Sequence, residues 1–163
     1  MIRPILLWPD PALSQKCAPV ADIDDEVRTL CDDLLETMYD APGRGLAAPQ
    51  IGVLARVFVM DTKWKEGARD PRVFINPKIT QPSKARQTGP EGCLSIPDVT
   101  ADIERAEAIT LSWTALDGST HVERLAGFDA ICAQHEFDHL EGIVTFDRLP
   151  SHQRQSLEAS YFA

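Results

Sequence analysis

The chain has 163 residues, of which 44% are hydrophobic and 25% charged, the balance of a soluble globular protein rather than a disordered one. This length fits one compact core, so we expect residues 1–163 to form a single domain. The net charge of −9 argues against a broad nucleic-acid interface, which needs clustered Lys and Arg. The apolar run Ile5–Trp8 is too short for a signal peptide, and no later run reaches the roughly 20 apolar residues of a membrane span. We therefore expect a cytoplasmic protein with no membrane or direct nucleic-acid partner, whose cysteines are reduced thiols, core residues or metal ligands.

The first predicted element is an amphipathic helix over Asp24–Tyr39, with Asp22 or Asp24 capping its start. Apolar side chains recur there at helical spacing and share one face: Val27, Leu30, Cys31, Leu34, Leu35 and Met38. Cys31 belongs to this face, so we interpret it as a small buried hydrophobe.

A loop predicted over residues 43–52 leads into sequence with strand character. Three segments are rich in β-branched and aromatic residues, as strands are: Arg56–Asp61, Arg72–Asn76 and Ala108–Ala115. Asp117-Gly118 indicates a hairpin turn from the last of these into a further strand, Thr120–Leu125. The polar segment Thr62–Asp70 is predicted to be a loop.

Two more helices are predicted towards the end of the chain. The second helix runs from Phe128 to Glu141, with Gly142 in the position where helices commonly stop. The third runs from Ser151 to Ser160, with Ser151 as its cap. A helix, several strands and then helices again, without regular alternation, predict an α+β fold rather than a parallel sheet.

The second helix contains the sequence His135-Glu136-Phe137-Asp138-His139. Histidines at positions i and i+4 lie on the same helix face, so both imidazoles can reach one metal ion. Glu136 lies beside them and can take a proton from water and return it to a leaving group. The histidines continue an apolar stripe, which predicts that this face is buried: Phe128, Ile131, Cys132, His135 and His139. The alternative is a chance pair of core or solvated histidines.

A catalytic metal site also needs a third ligand and an open coordination position. The residues after His139 offer no suitable ligand. Upstream, Cys93 lies in a glycine-containing turn, Glu91–Ser95. A thiolate with two imidazoles suits zinc, iron(II) or another late divalent ion. Taken alone, Cys93 is equally consistent with a core position.

Three motifs of the chain resemble those of the peptide deformylases in order and approximate spacing: GRGLAAPQ (43–50), EGCLS (91–95) and QHEFDH (134–139). The resemblance covers essentially the whole chain. It implies the peptide deformylase fold, α+β, with antiparallel β-sheets packed around a central metal-binding helix and an N-terminal amphipathic helix. It also implies a hydrolase that removes the N-formyl group from the formyl-methionine of newly made polypeptides. N-formylated nascent peptides are then the expected partners, with transient proximity to the ribosome.

The resemblance further implies a role for each site residue. One divalent metal ion, Fe(II) with Zn, Ni or Co able to substitute, would be held by three ligands, namely Cys93, His135 and His139. A hydroxide at the fourth position would attack the formyl group, with Glu136 as general acid/base. The backbone N–H of Leu94 and the side chain of Gln50 would stabilise the developing oxyanion. Gly45 would let the substrate backbone approach closely.

Two neighbouring roles stay open at the level of sequence. Asp138 can pair with Arg105 either to orient the metal-binding helix or as an ordinary surface salt bridge. Glu91 can hydrogen-bond near the site or merely shape its turn.

Three departures from the family pattern concern the substrate side chain. Arg44 stands where relatives carry a small aliphatic residue, and Gly89 stands where an aliphatic residue commonly lines the methionine pocket. The segment 98–101 (DVTA) lacks a basic residue that often meets the peptide. An apolar pocket gains about 0.8 kcal/mol per buried CH₂, and a charge at its wall opposes that gain. We therefore expect Arg44 and Gly89 to contact the substrate and the specificity to be altered or relaxed.

Other functions are compatible with parts of this pattern. A general zinc peptidase shares the HExxH sequence, although the EGCLS segment argues against it. A divergent amide hydrolase of the same fold could act on other formylated or acylated amines. A catalytically idle, metal-stabilised homologue that binds chain N-termini is the third alternative, with Arg44 obstructing the cleft.

Overall fold

The computed structural model describes residues 1–163 and contains three α-helices and seven strands. The helices are α1 (Asp25–Asp40), α2 (Gly127–Leu140) and α3 (Ser151–Phe162). The strands are β1 (Gly45–Ala47), β2 (Val57–Met60), β3 (Arg72–Thr80), β4 (Arg86–Cys93), β5 (Ile96–Ala106), β6 (Ala108–Thr114) and β7 (Thr120–Ala126). Short 3₁₀ helices lie at Pro11–Ser14, Ala48–Ile51 and Thr145–Arg148. None of the helices combines the length and apolar character that a membrane crossing requires.

Five strands form one antiparallel sheet in the order β1-β2-β3-β6-β7, with α1 and α2 on opposite faces. Successive side chains of a strand point to opposite faces, and β2 shows this directly. Phe58 and Met60 join the core beside α2, whereas Val57 and Val59 join the core beside α1. The apolar face of α1 packs there as predicted, with Cys31 fully buried.

Strands β4 and β5 form a separate two-stranded antiparallel hairpin with a tight turn at residues 94–95. The polar composition of β4, RQTGPEGC, does not indicate a strand, because Gly and Pro are normally depleted there. In β5 alternate residues are buried, namely Ala101, Ile103 and Arg105. Because Arg105 is charged, the hydropathy of the sequence does not alternate in the same way and does not predict this strand. The loop predicted over 43–52 is likewise wrong in part, since it contains β1 and a 3₁₀ helix.

Most of the predicted turns and caps are confirmed, and one is wrong. The Asp24 side chain accepts a hydrogen bond from Val27 N at 3.0 Å and caps α1. Gly118 in the β6–β7 turn and Gly142 after α2 have φ of +85° and +75°, values that glycine adopts without strain. Ser151 does not cap α3, because the helix begins at Ser151 itself and no side chain caps it.

Helix α2 lies between the five-stranded sheet and the β4–β5 hairpin, which confirms the predicted α+β architecture with antiparallel sheets packed around a central helix. Ala133 and Leu140 pack in the core beside the sheet. His135 and His139 are buried towards the hairpin residues Glu91 and Cys93. The apolar stripe does not extend to the start of the helix: Phe128, in the first turn, is 53% exposed because it lies at the wall of an open cleft rather than under the sheet.

Candidate active site

The structure brings together the three predicted ligands. Donor atoms of Cys93, His135 and His139 all lie within 4.8 Å of one another, and Cys93 Sγ lies 3.5 Å from His139 Nε2. Cys93 ends β4, and the two histidines lie one turn apart on α2. A thiolate and two imidazoles at this spacing fit a late divalent metal ion.

A carboxylate fixes the orientation of one ligand. His135 Nδ1 lies 2.9 Å from Glu91 Oε1, which leaves Nε2 to face the site. Burial lowers the pKa of His135, but the hydrogen bonds to Cys93 and Glu91 and the charge of Glu136 outweigh it and raise the pKa well above its usual value. Burial, with the charge of His135, lowers the pKa of His139 well below its usual value, so this ligand is a neutral imidazole.

Glu91 belongs to a buried ionic network that joins the hairpin to α2. Arg105 donates to both Glu91 oxygens at 2.9 Å and to Asp138 Oδ2 at 2.7 Å. Arg148 donates to both Asp138 oxygens, at 3.0 and 2.6 Å. The Arg105 side chain is 4% exposed, so the surface salt bridge considered from sequence is wrong. Glu91 does more than shape its turn, because it bonds directly to a ligand histidine.

Glu136 lies beside the predicted ligands and is almost fully buried. Its side chain is buried, and its Oε1 has no hydrogen-bond partner in the protein. Burial raises the pKa of Glu136 to about 7, against the opposing charge of His135. A carboxyl group with this pKa can exist in both protonation states near neutral pH, as a general acid/base requires.

Gln50 and Leu94 flank the ligand thiol. The Gln50 amide is held at both ends, since Oε1 accepts from Ala47 N at 2.9 Å and Nε2 donates to Ser95 Oγ at 3.0 Å. Its Nε2 also lies 3.8 Å from Cys93 Sγ. Leu94 follows Cys93 in the tight turn of the hairpin and lines the same cleft.

A cleft of about 1200 Å³ opens onto this centre, and the remaining predicted site residues line it: Arg44, Gly45 and Gly89. Gly45 has no room for a side chain, because a Cβ there would lie 2.6 Å from Glu136 Oε2. At Gly89, by contrast, a Cβ would meet nothing within 4 Å.

Two residues that the sequence reasoning did not single out complete the surroundings. Ser95 is fully buried and holds the Gln50 amide, and Arg148 bonds to Asp138 beside the ligand His139. Ser95 lies in the EGCLS motif, and Arg148 lies nine residues after His139 in the sequence FDRL (146–149), so a search for polar partners near the motifs could have found both.

Comparison with known proteins gives a consistent result. The family model described as polypeptide deformylase matches residues 2–155. The peptide deformylase of Rhizorhabdus wittichii is 49% identical over 159 residues, covering 94% of this chain and 90% of that protein. That of Rhizobium meliloti is 46% identical over 153 residues, covering 94% and 88%. The crystal structure of the Thermus thermophilus peptide deformylase has a TM-score of 0.89 at 41% identity and covers 98% of this chain and 93% of that one. The chain belongs to the polypeptide deformylase family, whose members are hydrolases that remove the N-formyl group of formyl-methionine peptides in a metal-dependent reaction.

Proposed function

We propose that Glu136 carries out the proton transfers of N-formyl removal beside one divalent metal ion held by Cys93, His135 and His139. The observation that carries this proposal is the position of Glu136, a buried carboxyl group with a pKa of about 7 and an unpartnered oxygen, next to the three convergent donor atoms. When bound, the ion supplies Lewis acidity, which lowers the pKa of a water molecule and polarises the formyl oxygen. We propose Fe(II) as the metal, with Zn, Ni or Co able to substitute, since a thiolate–imidazole set accepts all of these ions.

The carboxylate of Glu136 takes a proton from the attacking water and later delivers it to the departing amine. The water oxygen bonds to the formyl carbon, the C–N bond breaks, and the products are formate and a free N-terminus. Both transfers use the same carboxyl group, so a pKa near the working pH serves each direction equally.

Two donors stabilise the negative charge that develops on the formyl oxygen. These are the side-chain amide of Gln50, already oriented by Ala47 and Ser95, and the backbone N–H of Leu94. Removing one such preorganised donor from an enzyme typically lowers kcat by roughly 10²–10³-fold. Gly45 admits the substrate backbone, because a side chain would fill the space next to Glu136.

We propose that residues 1–163 act as one catalytic domain in the cytoplasm. The substrates are the formylated N-termini of nascent polypeptides, so the enzyme works in transient proximity to the ribosome. The shared core of α1, α2 and the five-stranded sheet supports a single catalytic unit.

The test is deformylation of formyl-Met-Ala-Ser by metal-loaded wild-type and Glu136→Gln enzymes. We expect the substitution to lower kcat/KM by roughly 10²–10⁴-fold while elemental analysis shows undiminished metal content. Glu158→Gln, on α3 and away from the cleft, is the matched control and should retain activity. A kcat/KM of Glu136→Gln equal to that of the wild type contradicts the assignment of proton transfer to Glu136. A fully metal-loaded wild type that deformylates no peptide favours the idle N-terminus-binding homologue instead.

A further inference from the structure

Arg44 lies in the wall of the cleft between two glycines, Gly43 and Gly45, whose backbone is close to the reaction centre. A Cβ at Gly43 would lie 2.7 Å from Leu94 Cδ1, and one at Gly45 would lie 2.6 Å from Glu136 Oε2. The backbone on both sides of Arg44 therefore abuts the groups assigned to catalysis. The cation at this position lines the cleft that opens onto the reaction centre.

The cleft that Arg44 lines is mixed in character. Hydrophobic residues are 11 of the 32 that line it. Gly89, on β4, leaves open space where an apolar side chain would narrow the cleft. An apolar substrate side chain gains less from such a wall than from a uniformly apolar one, because the hydrophobic gain depends on apolar area removed from water on both partners.

The guanidinium of Arg44 is incompletely satisfied within the protein. Its Nη2 bonds to Glu66 Oε1 at 2.6 Å, whereas its Nε is buried without an acceptor. The group also lies over the Phe128 ring, 5.6 Å from the centroid, which restrains its position. Guanidinium groups carry five N–H donors and bind carboxylates through two of them in parallel, and Glu66 engages Nη2 of the Arg44 group here.

The present partner of Arg44 is easily exchanged. The Glu66 side chain is 65% exposed and lies in the 61–70 loop, outside any helix or strand. Ion pairs in such exposed positions are screened by water and contribute little to stability. The Arg44 guanidinium thus already donates to a carboxylate in this position. A ligand carboxylate could take the place of Glu66.

We propose that Arg44 enables the cleft to bind formylated peptides whose first residue carries an acidic side chain, a substrate class that an apolar pocket rejects. This inference rests on the proposed function for the reaction itself, but it concerns recognition and can be measured separately from turnover. Arg44 acts as a specificity-determining residue and takes no part in proton transfer.

The experiment compares formyl-Glu-Ala-Ser with formyl-Met-Ala-Ser in the metal-loaded wild type and in Arg44→Leu. We expect the substitution to lower the ratio of kcat/KM for the acidic peptide to that for the methionine peptide by at least about tenfold, mainly through KM. Glu66→Gln should raise the ratio, because it releases the guanidinium. The matched control is Arg72→Leu, since Arg72 also pairs with a glutamate, Glu123, and lies over an aromatic ring but does not line the cleft.

Binding of both peptides to the Glu136→Gln enzyme, measured by calorimetry, separates recognition from reaction. We expect the affinity for the acidic peptide to fall in Glu136→Gln/Arg44→Leu relative to that for the methionine peptide. An unchanged ratio in both the kinetic and the binding measurements overturns the inference while leaving deformylation intact. Arg44-dependent binding without turnover of any peptide by the wild type overturns the proposed function while leaving the recognition intact.

Discussion

Gly45 is the residue where the absence of a side chain matters most for the chemistry. Its backbone passes so close to α2 that a Cβ would lie 2.6 Å from Glu136 Oε2 and 2.9 Å from Cys132 Sγ. Both neighbours are buried side chains of α2. A methyl group at Gly45 must therefore displace the carboxylate to which we assign the proton transfers.

We predict that Gly45→Ala lowers kcat/KM for formyl-Met-Ala-Ser by roughly 10²-fold, because a shift of about 1 Å in a catalytic group can have an effect of that size. Metal content should be unchanged. Gly67→Ala is the matched control, because Gly67 lies in an exposed loop and a Cβ at this position would meet nothing within 4 Å. Equal activity of the two variants would show that Glu136 tolerates the displacement.

At the scale of elements, the site depends on how the β4–β5 hairpin is fastened to α2. The hairpin supplies Cys93, and the helix supplies both histidines. Arg105 of β5 joins them through Glu91 and Asp138, all three buried. The bonds of Arg105 hold its pKa above the ordinary value, against the opposing effect of burial, so the group stays charged at any working pH.

We predict that Arg105→Met lowers the free energy of unfolding by about 3–5 kcal/mol, because it removes the buried cation that Glu91 and Asp138 share and leaves Asp138 with Arg148 alone. Chemical denaturation measures this change. Arg86→Met is the control: it removes an exposed pair with Glu104 at 3.9 Å on the same hairpin, which should change stability by less than about 1 kcal/mol. A similar small effect of both substitutions would contradict the structural role given to the buried network.

Helix α1 carries a buried thiol whose titration affects stability at alkaline pH. Burial raises the pKa of Cys31 from its usual value of 9.0 to about 12. Between these values the unfolded chain releases the proton and the folded chain keeps it, so unfolding becomes easier as pH rises.

We predict that this thiol contributes a fall in the free energy of unfolding of about 1.4 kcal/mol per pH unit between pH 9 and pH 12, with no contribution below that range. Denaturation of the wild type and of Cys31→Ala at several pH values measures the difference in slope. The substitution lowers stability at neutral pH by leaving a small cavity, so only the slope is compared. Parallel pH profiles would show that Cys31 does not titrate in this way.

At the scale of the whole molecule, the three ligands join parts of the chain that are distant in sequence. Cys93 and His135 are 42 positions apart by their numbering, and they come from the small hairpin and the central helix respectively. An ion that binds only the folded arrangement stabilises the fold as a whole.

We predict that removing the metal with a chelator lowers Tm by roughly 10 °C and that adding back Zn or Co restores it, since a ligand at 1,000 times its Kd contributes about 4 kcal/mol. Scanning fluorimetry measures the shift. His139→Ala should abolish the metal-dependent shift, whereas His152→Ala, at an exposed position on α3, should keep it. A shift of equal size in both variants would place the ion elsewhere.

Local patterns in the sequence predict much of this protein. The spacing of apolar residues predicts α1, the i, i+4 histidines place two ligands on one face of α2, and glycine with a preceding aspartate predicts the β6–β7 turn. Each of these features depends only on the backbone geometry of residues that are close together in the sequence, so the local sequence is enough to predict it. The resemblance of three motifs then indicates which cysteine completes the ligand set.

The tertiary structure alone decides the features that depend on distant partners. The strands β4 and β5 lack a hydropathy signal, because β4 is polar in sequence and β5 buries the charged Arg105 against Glu91 and Asp138. The close approach of β1 at Gly45 to Glu136, whose burial raises its pKa, also joins distant parts of the chain. The partners of Arg44 likewise come from the 61–70 loop and from α2, two regions that meet only in the folded chain. Burial and charge pairing between distant segments are properties of the packed molecule, so no local pattern encodes them.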